Sequence, residues 1–370
     1  MVSELRHFLG EDWVRTEALM SQYLSSDVRL LDQVNRSMLE NSGKKLRPML
    51  CLLVAKAVRG QVCEDTRHFA AAMELLHNAT LLHDDVVDGS EMRRGRPTLQ
   101  ALMGGTASVL TGDYWLVKAL ECILDAKGEE RDEVLRLFSW TLSSLASGEI
   151  LQLQMALSGE TREEEYLRII RCKTACLFET AALSGALSVL GADSEDADRH
   201  YQRMQAISAI RTFAMNLGLA FQIRDDILDY TGGAELGKPV GQDLMEQKIT
   251  LPLLEALAAA PEEEAEIRRK VREIGDHPEY REDIVAFVAA HDGIARATVR
   301  LDGFIQLAKD ALHSLGMTKE TSAGSNTPSF HGSSSAGGNT PSFHGSVESA
   351  DRTSVDWLLA LADYTALRNV

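Results

Sequence analysis

Proline, aromatic residues and positive charge are all scarce in this chain. Its 370 residues include only 8 prolines, and aromatic residues make up 6% of the sequence. Because proline interrupts helix interiors, its scarcity leaves room for long helices. Lysine and arginine together number 38 against 55 aspartate and glutamate residues, a net charge of −17. That balance argues against a nucleic-acid-binding protein, which normally carries a basic face.

Cysteine is also rare and shows no metal-binding pattern. The five cysteines are an odd number without recurrent spacing: Cys51, Cys63, Cys122, Cys172 and Cys176. We therefore expect reduced thiols in a cytoplasmic protein. The segment from Met1 to Trp13 lacks the basic and apolar regions of a signal peptide, and no apolar run is long enough to span a bilayer. We expect no stable membrane insertion.

Helical periodicity dominates what the sequence does contain. Apolar residues recur at three- and four-residue spacing, as in Leu110, Tyr114 and Val117, and long alternating β-branched runs are absent. The pattern predicts one all-α domain with long central helices. The predicted helices span about residues 10–24, 28–39, 46–59, 65–88, 97–101, 105–125, 131–157, 162–190, 196–230, 249–260, 263–274, 279–290, 292–316 and 354–368.

Residues 318–352 depart from the helical pattern, because they are rich in Ser, Gly, Thr and Asn. The heptapeptide NTPSFHG occurs there twice, at 326–332 and 339–345. Such a tract buries too little apolar surface to offset the entropy lost on ordering. We predict a helical domain over 1–317, a flexible inserted loop over 318–352, and a C-terminal helix within 353–370 that docks on the domain.

Two copies of one acidic cluster stand out against apolar surroundings. The first comprises Asp84, Asp85 and Asp88, and the second comprises Asp225, Asp226 and Asp229. On a helix this spacing predicts three carboxylates projected into one small volume. A single cluster of this kind is most often a solvated face, but two copies with apolar flanks favour a cleft. Because neighbouring carboxylates repel one another, we expect such a cluster to bind a cation. Mg²⁺ is often shared between carboxylates and substrate phosphates.

Basic residues accompany the first cluster and suggest phosphate binding. Arg93 and Arg94 follow it closely, and guanidinium groups match phosphate geometry. Upstream, the Gly43–Pro48 segment places Lys44 and Arg47 in a loop that enters a helix, where anions commonly bind. His77 lies two turns before Asp84. Taken alone it is more often a core histidine, whereas with Lys44 and Arg47 it is a candidate ligand of a second phosphate.

The second half of the chain supplies further basic groups. Lys173 and Thr174 lie in an apolar helix, where a lysine is expensive to bury without an anion. A Gly-rich segment after the second cluster carries Lys238, and Lys248 follows shortly afterwards. We expect this segment to be a mobile loop that closes over a phosphate.

These motifs together resemble the polyprenyl synthetase family, the trans-isoprenyl diphosphate synthases, from about residue 40 to 255. Their order and spacing agree with the family, and the octaprenyl and other long-chain members are the most similar in motif. The quoted motifs are GKxxRP from Gly43, both aspartate clusters, the arginine pair, GExxQ from Gly148, Lys173-Thr174, Phe221-Gln222, GKP from Gly237 and LADY from Leu361. One departure is Gln247, where the family usually has glycine.

The resemblance implies an isoprenoid-synthase helical bundle around a central hydrophobic cavity, and a condensation of isopentenyl diphosphate with an allylic diphosphate. It implies two to three Mg²⁺ ions, replaceable by Mn²⁺, on the metal ligands Asp84, Asp88 and Asp225, with Asp85, Asp226 and Asp229 in support. The groups implied at the allylic diphosphate are Arg93, Lys173, Thr174, Gln222, Lys238 and Lys248. The groups implied at isopentenyl diphosphate are Gly43, Lys44, Arg47, His77 and Arg94.

Product length is predicted from small residues below the first cluster. Ala79 and Thr80 lie about one turn deeper on the same helix, and an aromatic side chain there would cap a product tunnel. Their small size predicts a product longer than C20. The alternative is a floor formed lower down by Phe138 and Leu142, which would keep the product at C15 to C20.

Other functions fit the motifs less well. A terpene cyclase usually replaces the second aspartate cluster with a different triad, and a regulatory subunit of a heteromeric synthase can lose phosphate-binding residues that are present here. A structural acidic helical protein would not need the clustered charges. The resemblance also implies a homodimer formed through long central helices, and the lipid product could draw the enzyme to membranes.

Overall fold

Helices make up most of the residues that the structure describes, as the periodicity predicts. The computed structural model describes residues 1–191, 196–232, 240–315 and 352–368. Its elements in chain order are α1 Val2–Leu24, α2 Arg29–Glu40, α3 Leu46–Arg59, α4 Glu64–Val87, β1 Met92–Arg93, β2 Arg96–Pro97, α5 Leu99–Met103, α6 Gly105–Leu124, α7 Arg131–Ser158, α8 Glu163–Ile170, a π-helical turn Arg171–Ala175, α9 Cys176–Leu190, α10 Ala197–Thr231, α11 Gln242–Met245, α12 Leu251–Ala259, α13 Glu264–Glu273, α14 Tyr280–Ala290, α15 Gly293–His313 and α16 Arg352–Leu367.

The centre of the bundle is formed by α3, α4, α9 and α10. Every residue of α9 from Cys176 to Leu187 is buried, so this helix is surrounded by others on all sides. It packs against α3, α4, α7 and α10, while α4 packs against α6 and α10 against α15. The prediction of an all-α bundle with long central helices is confirmed.

Gly218 lies where α10 passes the π-helical turn at close distance. A Cβ at Gly218 would lie 2.5 Å from the Cα of Ala175. Only glycine permits that approach without moving backbone. The contact brings the second aspartate cluster, further along α10, to the side of Lys173 and Thr174.

Three local features differ from the predicted helices. α1 begins at Val2 rather than near residue 10 and is kinked at Gly10, whose φ is 53°. The predicted helix over 162–190 is interrupted by the π-helical turn, a feature that often marks functional sites. Between α4 and α5 lies a two-stranded hairpin in which β1 pairs antiparallel with β2, too short to leave a sequence pattern.

The C-terminal helix α16 packs on the body of the protein. Its Val355, Leu358, Leu361 and Ala362 are buried in the same hydrophobic core as the central helices. It contacts α3, α10 and α15. The predicted inserted loop over 318–352, including both NTPSFHG copies, lies outside the described residues apart from Arg352 at the start of α16.

One described helix, α10, is long and apolar enough to cross a membrane by length and composition alone. Half of its most apolar window is buried inside the protein, and core helices pass the same test. Its contacts with α9 and α15 identify it as a core helix of the bundle.

Candidate active site

The first aspartate cluster lies at the C-terminal end of α4, and its three carboxylates differ in burial and in partners. Asp84 is half-buried, whereas Asp88, the C-cap residue directly after α4, is exposed. Asp85 is buried and accepts a hydrogen bond from Nε of Arg93 at 2.7 Å. That all three carboxylates share one volume stays a prediction. Asp84 and Asp88, one turn apart, lie on one face, whereas Asp85 is turned towards the hairpin.

Asp84 faces acidic and basic groups from α7 and the π-helical turn. Burial and the carboxylate of Glu149 raise its pKa to about 7, with Asp88 adding to the effect and Lys173 opposing it. Glu149 belongs to the GExxQ motif of the sequence, but the residue patterns alone do not select it as a site residue. Its position across from Asp84 makes it part of the site.

Lys173 is held by two residues of α7. Its Nζ lies 2.6 Å from Oε1 of Glu149 and donates to Oε1 of Gln152 at 3.0 Å. The approach depends on Gly148, because a Cβ there would lie 2.7 Å from Cβ of Cys172 and 3.0 Å from Cγ of Lys173. The GExxQ motif thus supplies a close helix contact and two acceptors that orient the lysine.

The second cluster, near the end of α10, also divides its carboxylates between different tasks. Asp225 is partly exposed and pairs with Nη2 of Arg368 at 2.6 Å. Asp229 accepts from the backbone N–H groups of Gln242 and Asp243 at 3.0 and 3.2 Å, and so caps the start of α11.

Asp226 lies at the end of a buried hydrogen-bond chain. It accepts from the hydroxyl of Tyr166 at 2.6 Å and from Nε2 of Gln222 at 2.9 Å. Oε1 of Gln222 in turn accepts from the hydroxyl of Thr174 at 2.6 Å. Burial raises the pKa of Asp226, an effect that the two hydrogen bonds oppose. Thr174 and Gln222, selected separately from the sequence, are thus brought into direct contact.

Beyond α10, Lys248 lies among acidic groups. Its Nζ pairs with Glu246, and although burial acts to lower its pKa, Glu246 and Asp243 raise it overall. Asp88 contributes to the same effect, so Lys248 lies on the side of the first cluster. Lys238 and its Gly-rich neighbours lie outside the described residues.

A second basic pocket is formed by α3, α4 and the hairpin. Burial lowers the pKa of His77 well below its usual value, and the positive charges of Arg47, Arg94 and Arg93 lower it further. His77 is therefore neutral beside three guanidinium groups. Arg47 is half-buried, and desolvation of its guanidinium lowers its pKa to about 10; the guanidinium lies 4.7 Å from the ring centroid of Phe178.

The remaining predicted residues of this pocket lie at its rim. Arg94 and Gly95 both have positive φ, 52° and 74°, which is the backbone that a two-residue hairpin turn requires. This turn points Arg94 at the loop before α3, where its Nη1 donates to the carbonyl of Asn41 at 3.2 Å. Lys44 lies 5.4 Å from the ring centroid of Tyr364 of α16.

Glu74 is a buried acidic residue in this pocket that the sequence reasoning missed. It lies one turn before His77, and its Oε1 accepts from Nδ2 of Asn78 at 3.0 Å. Burial raises its pKa, while Asn78 and the positive charges of Arg47, Lys45 and Arg94 act to lower it. A glutamate in an otherwise apolar helix segment was the available signal.

The residues selected for product length lie in or beside the core. Ala79 is 1% exposed, and its carbonyl faces Gly112 where α4 crosses α6. Thr80 is half-buried and donates to the carbonyl of His77 at 2.8 Å. On α7, Phe138 is buried and Leu142 is half-buried. A tunnel past Ala79 stays a prediction.

Comparison with known proteins decides the family. The polyprenyl synthetase family model matches residues 28–288. The chain belongs to the polyprenyl synthetase family. It is 39% identical over 279 residues to the octaprenyl diphosphate synthase of Escherichia coli, covering 74% of this chain and 81% of that protein. It is 32% identical over 315 residues to heptaprenyl diphosphate synthase component 2 of Geobacillus stearothermophilus, covering 84% and 92% respectively.

Solved structures agree with the assignment of this chain to the polyprenyl synthetase family. The crystal structure of a decaprenyl diphosphate synthase from Rhodobacter capsulatus matches with a TM-score of 0.79 and 31% identity, over 99% of this chain and 98% of that chain. Relatives are mostly named for long-chain products, and short-chain and geranylgeranyl synthases are also among them. The protein is thus a trans-prenyltransferase with an all-α isoprenoid-synthase fold.

The carboxylates of this polyprenyl synthetase suit a cation that is shared with substrate. Among the residues the structure describes, no three His, Cys, Asp or Glu side chains form a cluster that could hold a metal by themselves. Mg²⁺ is usually bound by one or two carboxylates together with substrate phosphates and water, so the donor set fits. Burial, followed by the nearby carboxylates of Glu149 and Asp88, raises the pKa of Asp84, and a divalent cation would favour its ionised form.

Proposed function

We propose that this polyprenyl synthetase condenses isopentenyl diphosphate head-to-tail with an allylic diphosphate, such as farnesyl or geranylgeranyl diphosphate or a shorter primer, in an Mg²⁺-dependent reaction. The all-trans product is longer than C20. The observation that carries the proposal is the pairing of two different anion sites. One combines aspartates with Lys173, and the other, around Arg47, is rich in arginine and contains few carboxylates.

Asp84, Asp88 and Asp225 are the proposed ligands of two to three Mg²⁺ ions, replaceable by Mn²⁺, at the allylic site. When bound, the ions would neutralise the diphosphate and make it a better leaving group. Lys173 is held ready by Glu149 and Gln152 on the same side, and Arg93 lies next to the cluster through Asp85. Lys248, and Lys238 outside the described residues, complete the proposed basic lining of this site. Asp85, Asp226 and Asp229 support the site through hydrogen bonds rather than as ligands.

Isopentenyl diphosphate is proposed to bind in the second pocket without metal. Arg47 and Arg94 offer guanidinium forks that match a diphosphate, and Gly43 and Lys44 form its rim. Because His77 is neutral beside them, it can donate one hydrogen bond without adding charge. The pocket therefore binds by fixed positive charge.

The groups between the two sites are proposed to face the reacting carbons. Thr174 holds the side-chain oxygen of Gln222, and Gln222 donates to Asp226, so the amide has a fixed orientation. A preorganised dipole of this kind stabilises developing positive charge without reorganising during the reaction. The double bond of isopentenyl diphosphate attacks the allylic carbon, and the released proton goes to the departed diphosphate.

A product longer than C20 is supported by the small residues below Asp84. Ala79 and Thr80 place no aromatic side chain there, and the relatives named above are octaprenyl, heptaprenyl and decaprenyl synthases. A floor formed by Phe138 and Leu142 is the competing explanation for a short-chain enzyme. The two are separated by the product-length variants described below.

A homodimer is proposed on the exposed apolar face of α6. Leu110, Val117 and Leu124 are 63%, 52% and 47% exposed, and their seven-residue spacing places them on one face of the helix. Monomeric proteins rarely leave such a row uncovered. We place the enzyme in the cytoplasm, with no nucleic-acid partner, and with residues 1–317 and 353–370 forming one domain.

The relative named component 2 supports a second candidate, a subunit of a heteromeric synthase. The deciding experiment incubates the purified chain alone with Mg²⁺, labelled isopentenyl diphosphate and, in three separate reactions, geranyl, farnesyl or geranylgeranyl diphosphate, followed by chromatography of the products. Elongation that EDTA abolishes supports a self-sufficient enzyme. Failure of the isolated chain to elongate any of the three primers would reject it in favour of the subunit.

A further inference from the structure

The last described residue, Arg368, reaches from the end of α16 into the candidate active site. Its side chain is nearly buried, at 6% exposure, and its Nη2 lies 2.6 Å from Oδ1 of Asp225. The same Nη2 donates to the carbonyl of Phe221 at 2.9 Å, and the carbonyl of Arg368 accepts from Nε of Arg224 at 2.9 Å. Arg368 therefore binds one turn of α10, and this turn contains the proposed metal ligand Asp225.

A row of contacts between cations and aromatic rings continues from this pair. The guanidinium of Arg368 lies 3.6 Å from the ring centroid of Phe221, whose ring lies 5.1 Å from that of Phe178. Arg47 covers Phe178 from the second pocket at 4.7 Å. Two guanidinium groups thus lie at the two ends of a pair of phenyl rings tilted by 44°, and each guanidinium lies beside a different proposed diphosphate site.

We propose that Arg368 is a positioning residue that orients the Asp225 carboxylate for the allylic site and, through Phe221 and Phe178, supports Arg47 in the isopentenyl diphosphate pocket. This inference rests on the proposed function. A carboxylate has two oxygens, so one can pair with Arg368 while the other binds a cation. Such outer partners of a metal ligand commonly change metal affinity about 10- to 100-fold when removed.

The position of Arg368 gives the proposal a specific consequence. The residue follows the inserted segment in the chain and belongs to a helix packed on α3 and α10. The Arg368 side chain, which contacts both Asp225 and Phe221, therefore acts on both sites at once. Loss of the side chain should weaken cation binding at Asp225 and isopentenyl diphosphate binding near Arg47, whereas loss of an unrelated α16 contact should do neither.

The test compares Arg368→Ala and Arg368→Lys with a matched control on the same helix. Lys309 pairs with Asp363 and links α15 to α16 away from Asp225, so Lys309→Ala loosens the docking without removing the arginine. The first measurement is the affinity for Mn²⁺ in the presence of inorganic pyrophosphate, without turnover. The second is the KM for isopentenyl diphosphate against kcat, and the third is the melting temperature in EDTA.

We expect Arg368→Ala to weaken Mn²⁺ binding about 10-fold and to raise the KM. Arg368→Lys should recover part of both, and Lys309→Ala should match the wild type in both. Wild-type Mn²⁺ affinity in Arg368→Ala, or an equal loss in Lys309→Ala, would overturn the proposal. Turnover by the wild-type chain tests the proposed function separately, because it does not depend on either variant.

Discussion

The guanidinium of Arg94 lies directly over the α-carbon of Gly43, so that a Cβ at Gly43 would be 2.5 Å from Arg94 Cζ. Gly43 also has a φ of +88°, a backbone that other residues rarely adopt. Two features therefore favour glycine at position 43, the first residue of the GKxxRP motif. Glycine permits the loop before α3, and it leaves the space that the hairpin arginine fills.

This contact predicts the effect of Gly43→Ala. The new methyl group should displace Arg94 from the isopentenyl diphosphate pocket and raise the KM about tenfold, the equivalent of one charged hydrogen bond of about 1.5 kcal/mol. Steady-state kinetics with varied isopentenyl diphosphate measure this. Gly191→Ala is the control, because Gly191 has a similar φ of +80° with nothing near its Cβ position. Both variants should lose about 1–3 kcal/mol of unfolding free energy, because alanine is strained in either backbone conformation. An equal rise in KM for both would show that backbone strain, not Arg94, is responsible.

Product length should respond to aromatic residues on the buried face of α4. Ala79→Phe is expected to shorten the product, because the ring would fill the proposed tunnel below Asp84. Ala72 is also buried, seven residues earlier on the same face, about 10 Å deeper at 1.5 Å per residue. Ala72→Phe should therefore shorten the product less than Ala79→Phe.

Chromatography of products after exhaustive elongation checks the order of these two variants. Each ring also overpacks the core, at a cost of about 1–3 kcal/mol, so thermal unfolding accompanies the assay. If both folded variants make the wild-type product, the tunnel does not pass Ala79, and a floor at Phe138 and Leu142 becomes the better explanation.

The sequence predicted the helices and the residues that meet at the site, but not how the aspartates divide. Helical spacing correctly put Asp84 and Asp88 on one face. It could not show that Asp85 pairs with Arg93, because that contact depends on a hairpin turn made by two residues with positive φ. Arg368 was missed for a similar reason: its role depends on where α16 docks, which no local pattern contains.

Gln247 illustrates a departure that only the backbone explains. Its φ is 57°, in the left-handed region where glycine is favoured, which accounts for the usual glycine of the family at this position. Its side chain compensates in part, since Nε2 donates to the carbonyl of Arg272 at 2.9 Å. Gln247 therefore carries backbone strain that one hydrogen bond offsets in part.

The left-handed backbone at Gln247 predicts that glycine is more stable than alanine at this position, which is the reverse of their order within a helix. Neither Gln247→Gly nor Gln247→Ala keeps the hydrogen bond, but only alanine carries the left-handed penalty, so the glycine variant should be more stable by about 1 kcal/mol. Gln306, exposed on α15, is the matched control, and there alanine should be more stable than glycine by about 1 kcal/mol. Urea unfolding of the four variants decides, and the same order at both positions would contradict the prediction.

The buried carboxyl of Glu74 predicts a pH dependence of stability. Burial raises its pKa above the ordinary 4.5, against the opposing effects of Asn78 and nearby positive charges. A group whose pKa is raised on folding contributes stability below its unfolded pKa, and this stability is lost as the pH rises through the folded pKa. Each unit of that difference is equivalent to about 1.4 kcal/mol.

Glu74→Gln removes this titration while keeping the shape and an acceptor for Asn78. The difference in unfolding free energy between the variant and the wild type should therefore change in favour of the variant as the pH rises from about 4 to 7, whatever constant offset the amide introduces. Urea unfolding in EDTA at a series of pH values measures it. Because distant groups titrate equally in both proteins, their effects cancel in the difference. A difference that stays constant with pH, or that falls as the pH rises, would mean that the arginines of the pocket outweigh burial and keep Glu74 ionised as their counter-charge.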